Sequence, residues 1–421
     1  MGKVSEPADL LAILLGLAVA IGCINHLWIR LPPAIGMLLG SLTLSAFVVL
    51  SDHVLHLHVM RWFRATFAAA SLPRFFLDGV LALLLFAGSL HVDAKELGQR
   101  RFLISLLATT SVILSTLIFG TCMWLTFAAI GATVPLAWCF VLSAILAPTD
   151  AVVVENLLQQ VSLPARLRAA VVGESLFNDG ASVVLFLLAL GVTQGNAVTL
   201  GHGHVLAALV REIVGGAALG FITGWVTASI IRQVKDEGLQ LLISLALVLG
   251  SYRLASTFEL SGPIAVVSAG LCMGSPSPRF GMGSGSRFVL IGFWSLLDQF
   301  LNSMLFLLIG LQLLSLIIQP IELLPIVFAI PLAVVSRTIS VAVPLLLTRG
   351  SPGEKVRDSI VLTWTGLRGG ISIALALTLP ASPWRVELLV VTYAVVIFTI
   401  VVQGLTISRF LRSMYAGKGL E

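Results

Sequence analysis

Long apolar stretches separated by short polar ones run from one end of this 421-residue chain to the other. A helix crossing the roughly 30 Å hydrocarbon core of a bilayer needs about 20 apolar residues. On that rule the pattern predicts about thirteen spans, near 9–29, 33–50, 72–91, 101–131, 134–159, 164–194, 204–233, 238–257, 261–275, 287–316, 321–348, 356–380 and 384–412. The ninth is short and carries Pro263 and Gly270, which predicts a tilted or broken span. Residues 51–71 set His53, His56, His58, Arg61 and Arg64 among apolar neighbours and read as a helix lying in the interface. The expected fold class is an all-α membrane protein.

Composition agrees with that pattern. Hydrophobic residues make up 58% of the chain and charged residues only 11%, against about 25% charged in a soluble domain. The sequence pI is near 9.3, yet the basic residues sit between apolar stretches instead of forming a patch. The expected partner is therefore lipid and not nucleic acid. With the N-terminus outside, sixteen Lys and Arg fall on the cytoplasmic side and six on the other, a bias that the positive-inside rule favours. Arg61, Arg64 and Arg74 together oppose it. An odd number of spans then places the C-terminus in the cytoplasm.

Lys3 faces Glu6 and Asp9 at the start of the chain, which suits a first transmembrane helix better than a cleaved signal. Cys23, Cys122, Cys139 and Cys272 lie in or beside apolar stretches without a CxxC, so neither disulfides nor zinc are expected.

Charges inside spans need partners. Arg337 and Arg368 lie deep in theirs, where each costs at least ~2.5–3.5 kcal/mol on insertion scales. Arg211 sits beside Glu212 and reads as half of a self-paired interfacial couple. Acids cluster in the fifth and sixth spans. In the fifth, Pro148 removes a backbone donor and clashes with the preceding turn, so the helix should break near mid-membrane. Backbone freed at that depth is tolerated only beside protein or a watery cavity. Thr149 and Asp150 stand at the break, where freed carbonyls suit a cation; a plain proline kink with a capping Asp is the alternative.

The sixth span reads Gly173-Glu174-Ser175-Leu-Phe-Asn178-Asp179-Gly180. Ser175 and Asp179 stack at i,i+4, whereas Glu174 points about 140° away from Asp179. Asp179 and Ser175 can thus face an ion while Glu174 seeks a positive group on a neighbouring helix.

The twelfth span holds Gly366, Gly369 and Gly370 around Arg368 and predicts a second interruption. Each break falls in the fifth span of its half, counting the second half from span eight. Equal counts with span seven as connector predict two inverted six-helix repeats, and paired interrupted helices point to a transporter's site. Arg368 would offset the C-terminal dipole ends that meet there.

At these residues the chain resembles the NhaP-type branch of the monovalent cation:proton antiporter-1 family, which also contains the animal sodium/proton exchangers. The matching motifs are Ala-Pro148-Thr149-Asp150, Gly173 to Gly180, and Gly366-Leu-Arg368-Gly369-Gly370. The likeness in span order covers nearly the whole chain. It implies thirteen spans, two discontinuous helices crossing at mid-membrane, and a homodimer. A core at 101–194 and 321–412 would move against a dimerisation part at 1–91 and 204–316. It further implies a cation site of Thr149 (largely through its backbone), Asp150, Ser175 and Asp179, Glu174 paired with Arg337, and Arg368 steadying the crossing. Two departures stand out: Ala151 follows Asp150 where many relatives have Pro, and Phe86 precedes Ala87-Gly88 where some carry an acid. Asp78, two turns earlier, is a weak substitute.

A carboxylate cannot hold a proton and a metal ion together, so Asp150 and Asp179 are expected to titrate as a coupled unit and to exchange Na+ (or Li+) for H+. Asn178 is neutral where electrogenic relatives have a second Asp, which implies a 1:1 electroneutral swap. K+/H+ exchange is the nearest alternative. No cofactor is expected, and the only metal is the transported Na+ at Asp150 and Asp179. An intramembrane enzyme is disfavoured because no deep span holds a histidine and no Gly-x-Ser-x-Gly or HExxH occurs. A passive channel is disfavoured by the buried arginine–acid pairing.

Glu155 reads as interfacial or as part of a cytoplasmic vestibule, and Asp298 with Asn302 as a pair that satisfies itself or a dimer contact. His53, His56, His58, His202 and His204 have loose metal-like spacing without a carboxylate pattern, and their titration near neutrality also suits a pH sensor. The expected location is a bacterial inner membrane.

Overall fold

A computed structural model describes residues 7–55, 79–91, 101–150, 153–154, 164–195, 202–275, 284–312, 323–348 and 351–415. Glu155, Asp78, Ala151, His56, His58, Arg61, Arg64 and Arg74 lie outside the described residues, as do the side chains of His53, His202 and His204.

The helices are α1 (Pro7–Ile24), α2 (Pro33–Leu55), α3 (Leu81–His91), α4 (Arg101–Leu106), α5 (Val112–Ala129), α6 (Leu136–Ile145), α7 (Ala165–Thr193) and α8 (His202–Ile231). They continue with α9 (Glu237–Thr257), α10 (Gly262–Gly274), α11 (Ser284–Gln312), α12 (Leu323–Leu346), α13 (Pro352–Trp364), α14 (Gly370–Leu377), α15 (Arg385–Phe398) and α16 (Gly404–Tyr415). No strand occurs among the described residues, and the expected all-α class is what forms. Each of the thirteen apolar segments overlaps at least one of these helices. Among the described residues, nine helical stretches are long and apolar enough to span a bilayer, and α3, α6 and α10 add shorter apolar helices.

Three long stretches among the described residues are not uniform. A π-helical turn at Asn25–Ile29 extends α1, one at Leu107–Ser111 joins α4 to α5, and another at Thr399–Gln403 joins α15 to α16. The last sets Thr399 beside the site described below. Helix starts follow their capping residues. Asp236 accepts from Leu239 N over 2.6 Å at the head of α9, and Ser351 with Glu354 closes a capping box ahead of α13. Arg211 reaches the Phe258 carbonyl over 3.5 Å.

Packing falls into two sets of helices. In one, α8 lies along α10, α10 along α3 and α9, and α11 along α2 and α3. The α8–α10 seam is tight because Gly216, Gly220 and Gly224 recur every four residues. A Cβ on Gly220 would land on the Ala265 carbonyl, the close approach that small residues allow between membrane helices. In the other set α5, α6, α7, α12, α13, α14 and α15 pack around one another. The sets meet where α7 touches α3 and α10, and where α11 touches α14.

Candidate functional site

The sequence interrupts two helices, and the interruptions meet. α6 ends at Ile145, Leu146 turns off at φ −89°, ψ 0°, and residues 147–150 are unwound. The residue before a proline is biased away from helix, so the break begins ahead of Pro148. α13 ends at Trp364, the backbone over 366–369 is unwound, and α14 resumes at Gly370. Asp150 N donates to the Leu367 carbonyl over 2.7 Å, tying one unwound segment to the other. The approach requires glycine: a Cβ on Gly369 would fall on the Asp150 carboxyl group.

Helix ends leave carbonyls without partners, and here side chains take them up. Arg368 Nη1 donates to the Ala147 carbonyl over 2.6 Å and to that of Pro148 over 3.2 Å. Its own backbone N–H donates to Thr399 Oγ1 over 3.2 Å. Asn178 Nδ2 also donates to the Ala147 carbonyl, over 2.9 Å. Ser182 Oγ donates to Asn178 Oδ1 over 2.9 Å, so Asn178 has both ends of its amide committed to structure.

Glu174 and Arg337 form a two-pronged ion pair. Nη1 meets Oε1 at 2.7 Å and Nη2 meets Oε2 at 2.6 Å, with both residues under 5% exposed. Nη2 also reaches the Leu362 carbonyl over 3.4 Å, near the C-terminal end of α13. This fork geometry is the strong form of a charge-assisted bond.

On the other face of α7, Ser175 Oγ lies 2.7 Å from both the Thr149 carbonyl and Thr149 Oγ1. Asp150 Oδ1 accepts from Val153 N over 3.0 Å. Asp179 is 5% exposed, and its Oδ1 is buried without a hydrogen-bond partner among the described residues. Such an oxygen is expensive unless a proton or cation meets it. Thr149, Asp150, Asp179 and Gly369 line a small, partly open cavity, walled elsewhere by Leu84, Leu85 and Gly88 of α3 and by Asn302 and Leu305 of α11. The site residues named from the sequence thus converge: Thr149, Asp150 and Asp179 on the cavity, Ser175 behind Thr149, and Glu174, Asn178, Arg337 and Arg368 around them.

Two participants escaped the sequence reading. Thr399 was one threonine among many in apolar spans, and nothing marked it. Asn302 pairs with Asp298 at 3.2 Å, as the spacing suggests, but it also borders the cavity. A polar pair at i,i+4 in an apolar span was the available signal. Phe86 does not line the cavity; it packs on Trp294 with ring centroids 4.7 Å apart.

An all-helical membrane-type chain with two crossed, unwound segments and buried acids beside them has the build of a secondary transporter. Comparison with known proteins narrows this. The family described as "Sodium/hydrogen exchanger, transmembrane" matches residues 11–413. The Na(+)/H(+) antiporter NhaP of Pseudomonas aeruginosa is 36% identical across 98% of both chains, and the Na(+)/H(+) antiporter NhaH of Halobacillus dabanensis is 30% identical across 96% of both. The solved sodium proton antiporter MjNhaP1 from Methanocaldococcus jannaschii shares the fold with a TM-score of 0.70 at 20% identity, over 97% of this chain and 96% of that one. This chain belongs to the sodium/hydrogen exchanger family.

Proposed function

We infer that this protein is an antiporter exchanging Na+, or Li+, for H+ across a membrane, one ion for one proton, by alternating access. The observation that carries the reading is the unpartnered, buried Asp179 Oδ1 beside Asp150 at the crossing of two unwound segments. Family membership and the relatives' stated activity point the same way.

Charge arithmetic supports the stoichiometry. Glu174 and Arg337 cancel, and Arg368 offsets one of the two cavity carboxylates. One net negative charge remains, which a single Na+ or a single H+ neutralises equally. Either loaded form is neutral and free to move. With neither bound, a net charge stays buried at mid-membrane depth, which is unfavourable by several kcal/mol at least, so the site returns loaded and exchange is obligatory. Asp150 and Asp179 hold the ion, the Thr149 carbonyl and Ser175 hydroxyl complete its near shell, and Asn178, Glu174, Arg337 and Arg368 hold the frame. The helices of 101–194 and 321–412 form the moving core, and those of 1–91 and 204–316 form the part that joins two copies into a dimer. The orientation that fits the basic residues puts the N-terminus outside and the C-terminus in the cytoplasm of a bacterial inner membrane.

The test is Asp179→Asn in sealed vesicles carrying a proton gradient read by dye quenching. Na+ pulses should collapse the gradient with wild-type protein and leave it intact with the variant, while the variant still inserts. Full activity of the variant would refute the assignment. A K+ pulse that works where Na+ fails would replace Na+ by K+.

A further inference from the structure

Among the described residues, Asn302 is the polar side chain of the cavity that comes from neither α7 nor the two broken helices. It lies on α11, four residues after Asp298 and three before Leu305, so the three share one face. That face is held at both ends. Leu305 stands where a Cβ on Gly370, the first residue of α14, would strike it. Trp294, one turn before Asp298, is fully buried against Phe86 and donates to Ser244 Oγ over 3.1 Å.

Between these anchors, Asn302 Nδ2 donates to Asp298 Oδ1 over 3.2 Å, and Asp298 is 6% exposed. The Asp298 oxygen accepts from the amide nitrogen, so the pairing decides which way the carboxamide is turned. The nitrogen goes to Asp298, and the carbonyl oxygen Oδ1 is the end left to the cavity. An oxygen is what a small alkali cation needs, and a carboxamide oxygen adds a ligand without adding charge. The single net charge that one ion or one proton must neutralise is therefore unchanged.

We propose that Asn302, oriented by Asp298, is a cation-selecting ligand that contacts the transported ion from the α11 side of the cavity, opposite Asp150 and Asp179. The proposal rests on the exchange reading and deepens it by naming the residue that sorts monovalent cations. The carboxylates are set by the crossing and Asn302 by α11, so the gap between them fixes the ion size that touches both. A proton needs no shell of oxygens. Asn302 thus bears on the cation half of the cycle and not on the proton half.

The experiment measures initial exchange rates in proteoliposomes against Na+, Li+ and K+ concentration for wild type, Asn302→Ala, Asn302→Asp, Asn302→Gln and Asp298→Asn. Losing one oxygen contact to a charged group should raise the KM for Na+ about tenfold in Asn302→Ala, and the loss should fall on KM more than on maximal rate. Asn302→Asp supplies an oxygen but loses the donor to Asp298 and adds a charge, so it should not recover that loss. Asn302→Gln moves the oxygen by one methylene and should reorder Li+ against Na+. Asp298→Asn should raise KM in the Asn302 background and add nothing in Asn302→Ala. The pH profile at saturating Na+ should stay that of wild type.

Unchanged KM values and ion ranking in both Asn302→Ala and Asn302→Gln, with wild-type exchange intact, overturn this proposal alone. A wild-type protein without cation-dependent proton movement overturns the exchange reading beneath it. Should Asn302→Ala fail to insert, the ranking in Asn302→Gln decides: a shift supports the assignment and an unaltered ranking ends it.

Discussion

Replacing Arg337 by methionine removes two donors from Glu174 and keeps a side chain that still fills space. Both nitrogens now meet both carboxylate oxygens at 2.6 and 2.7 Å, in residues 4% and 2% exposed. Removing one partner of a buried pair costs about 3–5 kcal/mol, chiefly because the other charge is left buried. The Leu362 carbonyl, reached by Nη2 at 3.4 Å, loses a donor too, worth about 1 kcal/mol. Glu174→Gln alone leaves Arg337 stranded at a similar cost. The double variant Glu174→Gln/Arg337→Met strands neither charge, and its amide oxygen can still accept from Asn178, which now donates to Oε1 over 3.4 Å. A double-mutant cycle on thermal unfolding of the purified protein should therefore give a coupling of about 2–3 kcal/mol. Each single variant should melt well below wild type, and the double variant should lose less stability than the two singles added together. The double change also preserves the net charge of the cluster, so exchange should survive in it at reduced rate. Additive singles, or a double variant that folds like wild type and moves no Na+, would refute the view that this pair builds the frame and takes no part in binding the ion.

Other outcomes follow from the same geometry. Gly369→Ala should abolish exchange or raise the KM for Na+ by well over tenfold, because its Cβ would overlap the Asp150 carboxyl group; cation-dependent dye quenching reads this directly, and wild-type kinetics would mean that the segments do not meet as described. Clamping the membrane potential across proteoliposomes should leave the initial rate unchanged within about twofold, since the loaded cluster is neutral with either ion. A rate that follows the potential would require a different stoichiometry. Raising the proton concentration on the Na+ side should raise the apparent KM for Na+ while leaving the maximal rate alone, as competition for one site demands.

Much of this was legible because a bilayer penalises exceptions so heavily. Apolar lengths near 20 residues give the helices, and any charge between them must have a reason. Pro148 and the Gly366–Gly370 cluster disclose the breaks because each weakens helix by known chemistry, and Glu174 and Asp179 separate because 100° per residue turns them apart. What escaped lies in tertiary placement. The break begins at Leu146, before the proline that causes it, since the ring restricts the residues ahead of it. Phe86 could be read as a lost ligand, but only the packing shows it turned onto Trp294. Asn302 is four residues from its hydrogen-bond partner yet more than 120 residues from the acids it joins at the cavity. No periodicity within α11 can report that.

The two buried arginines have different partners, and the difference is what leaves a site. Arg337 meets a carboxylate with both terminal nitrogens, so Glu174 has little charge left to offer an ion. Arg368 directs Nη1 instead to the carbonyls of Ala147 and Pro148, where the end of α6 carries only partial negative charge. A guanidinium locked onto Asp179 in the way Arg337 is locked onto Glu174 would have to be displaced by every incoming Na+. Satisfying Arg368 with backbone lowers the negative potential of the cavity through space without occupying the Asp179 oxygen that the ion must reach. On the proposed exchange reading, the broken helices therefore do more than supply ligands: the Ala147 and Pro148 carbonyls hold the positive charge that would let a two-carboxylate site take one ion.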